Sequence, residues 1–185
     1  LERVLAIDGA LNHSGWAILE DTGKGKDEII AKQYGIIKPK ATMSLGFKLF
    51  YIRTELNSLF NKYKPTIIVF EDTYAGKNAK TNARLNNAKG VFYVTAYELL
   101  KGNEPAYVSS VEARRCLGFK NNKNEPYEFF KKMYGLKESF EKANDITDAM
   151  TVGFWYLYDK NGDCASNKKE KKKKSTKQRS TKKKR

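Results

Sequence analysis

Four acids in this chain have the types and spacing to hold a hard metal ion: Asp8, Glu71, Asp145 and Asp148. Asp8 and Glu71 each end a short apolar run, Val4–Asp8 and Thr66–Glu71, so neighbouring strands would bring both carboxylates to one sheet edge. Asp145 and Asp148 stand three residues apart at the expected start of a helix and share one of its faces, where the positive helix end favours acids. Four carboxylates in one pocket repel one another unless cations neutralise them. Oxygen-only ligands select magnesium, or manganese in its place. Two such ions about 3.5–4 Å apart are the apparatus of phosphodiester hydrolysis, one activating water and the other steadying the leaving oxygen. Taken singly, each acid also has a plainer reading as a turn residue, a solvated strand end or a helix-start acid; the joint placement is what points to a metal.

The elements that must carry these acids follow from hydrophobic periodicity. Val4–Asp8, Trp16–Glu20 and Glu28–Ile37 read as three strands, the first two joined by a Gly-Ala-Leu-Asn-His-Ser-Gly turn. Leu45, Leu49, Ile52, Leu56, Leu59 and Phe60 recur at helical spacing up to Pro65, and the β-branched run Thr66–Phe70 reads as a strand buried on both faces. Thr81–Leu100 is expected to be a helix, Ala106–Val108 a strand, and Ser109 or Ser110 the cap of a helix closing at Gly118. Asn121–Asn124 reads as a polar, basic loop, and the last helix as Asn144 to about Tyr158. The order βββαβαβα, with further helix at the end, predicts an α/β domain: a mixed five-stranded sheet flanked by helices over residues 1–160.

The formal charge is +15, yet residues 167–185 carry twelve Lys or Arg against Glu170, a net of +11 that leaves +4 for the rest. Residues 161–185 are therefore expected to form a disordered basic tail, suited to a phosphate backbone or, in a nucleated cell, to localisation. No apolar run approaches the ~20 residues of a membrane span, and the start lacks a signal-peptide stretch, so a cytoplasmic location is expected. One histidine, His13, and two distant cysteines, Cys116 and Cys164, are too few for structural zinc. The cysteine usage predicts a reduced setting rather than a disulfide framework.

Three stretches carry a family resemblance. Ile7-Asp8 followed by Gly15-Trp16, then Glu71-Asp-Thr-Tyr74-Ala-Gly-Lys77-Asn78-Ala79 with Leu85, Ala88, Lys89, Gly90 and Val91, and finally Asp145-Ile-Thr-Asp148-Ala149, resemble in order the motifs of the RuvC Holliday-junction resolvases. The resemblance spans about residues 3–158 and is similar to bacterial, phage or viral members. It implies an RNase H-like fold, a homodimer with two active sites, Mg2+, and paired nicks in four-way DNA junctions. The turn departs from the family, with Asp8-Gly9-Ala10 in place of Asp-Pro-Gly. Tyr74 is expected to stack on an unpaired base, and Lys77, Asn78, Arg84 and Lys89 to contact DNA backbone. Arg114 or Arg115, and Lys120 or Lys123, resemble the family's further basic residues, while Phe92 and Tyr93 on the long second helix are candidate dimer contacts. His13 reads either as a phosphate contact or as an exposed turn residue. Competing readings are a relative acting on forks, flaps or RNA, as in the YqgF type, and an inactive junction-binding protein. A sugar-kinase-like ATPase would need two such domains, more than this chain holds.

Overall fold

The computed structural model describes residues 1–23, 29–72, 79–120 and 122–164, the side chains of 79–81 excepted. Five strands, β1 (Glu2–Asp8), β2 (Ser14–Asp21), β3 (Ile29–Ile37), β4 (Ile67–Asp72) and β5 (Ala106–Ser109), form one sheet in the order β3-β2-β1-β4-β5. β1 pairs antiparallel with β2 and parallel with β4, which itself runs parallel to β5. The register sets Ile7 beside Phe70, so Asp8 and Glu71 leave adjacent central strands at the same edge, as their apolar runs predict.

Alternation along the strands fills two cores. Leu5, Ile7, Ile18, Ile68 and Phe70 face helices α1 (Leu45–Tyr63) and α2 (Ala79–Leu99), meeting Ile52, Leu56, Ala88 and Phe92. Val4, Ala6, Leu19 and Val69 face α3 (Ser110–Leu117), α4 (Asn124–Tyr134) and α5 (Phe140–Lys160), meeting Ala113, Phe130, Met150 and Phe154. A helix on each face explains why β1 and β4 show no polar alternation. α5 lies so close to the sheet that a Cβ on Gly153 would stand 2.5 Å from Leu19 Cδ1 and 2.9 Å from Ala6 Cβ. Glycine there lets the acid-bearing helix seat against β1 and β2.

Three expectations change. α4 has no counterpart in the sequence reading, because Pro126 and a polar start mask a helix whose Tyr127 and Phe130 are nonetheless buried. α5 begins at Phe140 after the cap Ser139, not at Asn144, so Asp145 and Asp148 lie beyond its first turn and gain little from the helix end. Cys116 and Cys164 are joined in a disulfide closing a separation of 48 residues, contrary to the reduced pairing expected. The chain brings them together because α3 packs along α5 and the turn at Gly162 (φ +69°) sends the chain back toward α3. The closed loop contains Asp145 and Asp148, and reduction is expected to lower stability by about 2–4 kcal/mol. Denaturant titration with and without a dithiol reductant measures this; equal midpoints, or free thiols in the unreduced unfolded protein, would count against the bridge. Of the tail expected over residues 161–185, residues 161–164 continue from α5 through a turn to the buried, disulfide-bonded Cys164, and residues 165–185 lie outside the described residues.

Candidate active site

Asp8, Glu71 and Asp148 come from three elements, β1, β4 and α5, and each offers an oxygen within 4.8 Å of the others. Asp148 is 3% exposed, and both its oxygens are engaged: Arg114 Nη2 donates to Oδ1 at 2.9 Å and Lys123 Nζ to Oδ2 at 2.9 Å. Asp145, one turn earlier on α5, flanks the trio without joining it, and its charge reaches Asp8. Its backbone carbonyl presses on Gly15, where a Cβ would stand 1.9 Å from the oxygen. Gly15 is thus required for the turn after Asp8 to pack against the acid pair.

The electrostatics are those of crowded acids that Arg114 and Lys123 only partly neutralise. Burial pushes the Asp8 carboxyl well above the ordinary range, and the charges of Glu71, Asp148 and Asp145 add to this against a weaker pull from Lys123. Glu71 is pushed up to about 7 by burial and then by Asp148, opposed by Arg114, by a hydrogen bond with Ser110 and by Lys123. Burial alone would lower Lys123, but its hydrogen bond to Asp148 and the surrounding acids raise it. Glu71 Oε2 is buried and has no hydrogen-bond partner among the described residues. Desolvated carboxylates held above their normal pKa, with one oxygen unused, fit a hard divalent cation as the missing partner.

Arg84 is exposed on α2, Lys89 pairs with Asp72 at 3.2 Å, Arg115 is exposed on α3, and Lys120 is exposed after α3 with its Nζ 3.9 Å from Glu125. Arg114, expected at a DNA surface, is instead buried on Asp148. Lys123 reaches the same carboxylate from the segment before α4. Ser110, the first residue of α3, touches Glu71 and was not anticipated; its sequence signal, a Ser-Ser pair, marks only a helix cap. Tyr74, Lys77 and Asn78 lie outside the described residues. Phe92 is a core residue packed at a tilt against Phe70, with ring centroids 5.7 Å apart, whereas Tyr93, Val94 and Tyr97 form an exposed stripe on α2.

The family model described as "Crossover junction endodeoxyribonuclease RuvC" matches residues 4–155. Among curated relatives, the RuvC of Caldicellulosiruptor saccharolyticus is 26% identical over 158 residues, 84% of this chain and 92% of its own. That of Ehrlichia canis is 28% identical over 159 residues, 86% of this chain and 98% of its own. Among solved structures, T. thermophilus RuvC in complex with a Holliday junction substrate superposes with a TM-score of 0.75 at 17% identity, covering 89% of this chain and 98% of that one. The yeast mitochondrial Holliday junction resolvase gives 0.61 at 16% identity, covering 84% and 78%. The architecture is that of the RNase H-like resolvases.

Proposed function

Because the chain belongs to the RuvC family of crossover junction endodeoxyribonucleases, we propose that it makes paired nicks in four-way DNA junctions by metal-assisted phosphodiester hydrolysis. The observation that carries this reading is the meeting of Asp8, Glu71 and Asp148 within 4.8 Å at the edge of the central strands. Asp8, Glu71, Asp148 and the flanking Asp145 are the residues to hold Mg2+, with Mn2+ as its substitute. When bound, the metal supplies Lewis acidity toward phosphoryl oxygens and a more acidic attacking water. Arg114 orients Asp148 through their buried ion pair, Ser110 orients Glu71, and Lys123 brings positive charge to the acids from a partly exposed position.

Arg84, Lys89, Arg115, Lys120 and Lys123 are the cations we assign to DNA backbone, together with Lys77, Asn78 and a base-stacking Tyr74. The stripe Tyr93, Val94 and Tyr97 suits a homodimer contact that sets two sites on two strands. The bacterial relatives support a cytoplasmic location, and no described helix is long and apolar enough to cross a membrane. Cleavage of a synthetic four-way junction alongside matched flaps, forks and RNA hairpins tests the reading. Preference for the junction is expected; flaps cut as readily would make a broader nuclease of it.

Two further outcomes follow. Glu71 is pushed up to about 7, so metal binding near pH 6.5 is expected to release most of one proton from this carboxyl alone. Calorimetry in buffers of different ionisation enthalpy reads this, and a buffer-independent heat would contradict it. Removing residues after Ser166 takes away a net charge of +11. Folding and chemistry are expected to survive, while junction affinity falls and its salt dependence flattens. An unchanged salt slope would show that the tail does not touch DNA.

A further inference from the structure

A cleft of ≈ 440 Å³ opens on the Asp145 side of the cluster, between the β1–β2 turn and the first half of α2. Its walls include Asn12 and His13 from the turn, Arg84 and Leu85 from α2, and Asp145 from α5. The turn is fixed rather than loose. Ser14, fully buried, accepts from the Ala10 amide at 3.0 Å and donates to the Ala10 carbonyl at 2.6 Å, and Leu11 is buried beneath the tip. Gly15 is pressed on the Asp145 carbonyl from the same side. Asn12 and His13 are thereby held exposed at the tip. Lys48 Nζ donates to Asn12 Oδ1 at 2.7 Å, so the group Asn12 offers to a ligand is its NH2.

We propose that this cleft seats the phosphate next to the scissile one on the strand being cut, with His13 and Arg84 as positioning residues and Asn12 as a further donor. The proposal rests on the nuclease reading above. Amide, imidazole and guanidinium groups converging from two elements suit a compact oxyanion with several acceptor oxygens. Asp145, which flanks the carboxylate trio, also lines the cleft, so an anion settles there only when cations neutralise that acid. Metal and phosphate would then fill together, and the strand would be registered over the carboxylates. A phosphate held on this side fixes which bond reaches them.

The test pairs protein and DNA changes. Four-way junctions carrying one uncharged methylphosphonate linkage at each position around the cut are cleaved by wild type, His13→Ala, Arg84→Ala and the double variant. At one linkage beside the cut, wild type is expected to slow about tenfold, the effect of losing one charge-assisted hydrogen bond. The double variant, already slowed on natural DNA, should lose less than about twofold more at that linkage yet respond normally at the others. Thermal melting confirms folding. Multiplicative losses at every linkage would overturn the seat while leaving the nuclease intact. If wild type does not cut the unmodified junction, the nuclease reading fails and the seat falls with it.

Discussion

Asp8→Asn is expected to lower junction cleavage by at least about a thousandfold, equivalent to ~4 kcal/mol of transition-state stabilisation, while making the metal-free protein more heat-stable. Asp8 is the most crowded acid of the site, buried and surrounded by Glu71, Asp148 and Asp145. Its folded pKa lies above the unfolded value, so its contribution to stability is present at low pH and is lost as pH rises through the folded value. At neutral pH the carboxylate therefore costs stability in the absence of metal, and the neutral amide relieves it. Glu71 follows the same sign, with the loss spread between its ordinary range and about 7. Melting of the metal-free proteins at pH 5 and 8 checks this: the gap between Asp8→Asn and wild type should widen at the higher pH. A variant that melts lower at pH 8 would contradict the crowding.

Arg114→Ala is expected to cost about 3–5 kcal/mol of stability, together with most activity, because it leaves Asp148 buried with the more buried of its two cations gone. The side chains of Arg114 and Asp148 are 8% and 3% exposed, so water replaces little of the lost contact. Lys123 remains on the other oxygen but is itself half exposed, and it offsets only part of the loss. Arg115→Ala, one residue away and exposed, is the control: its cost in stability should stay within about 0.5 kcal/mol. Denaturant midpoints distinguish the two. Equal small losses would mean that the pair contributes little to holding α3 on α5.

The contrast between those arginines shows where sequence stops. Asp8 and Glu71 were legible because an apolar run ending in an acid names its own strand end, and two parallel neighbours need only align their ends. The three-residue spacing of Asp145 and Asp148 gave their shared helix face but not their depth along the helix, since Ser139-Phe140-Glu141 carries no strong start signal beyond the serine. That shift leaves Asp148 in the trio and Asp145 on its flank. Arg114 and Arg115 differ only in helix phase, and an eight-residue helix does not fix its phase without the docking of α3 on α5. The same docking pairs Cys116 with Cys164 across 48 residues, a contact that no local pattern encodes. α4 was hidden by Pro126, a residue tolerated in the first turn of a helix but easily read as a breaker.

Mapping the products of a labelled four-way junction incubated with wild type in Mg2+, in excess EDTA, and with Asp8→Asn in Mg2+ tests the central claim most directly. The predicted result is a pair of symmetric nicks near the crossover with wild type and Mg2+ alone, while Asp8→Asn binds the junction and leaves it whole. Nicks that persist in EDTA, or that Asp8→Asn still makes at the wild-type rate, would contradict a metal-dependent nuclease built on these carboxylates.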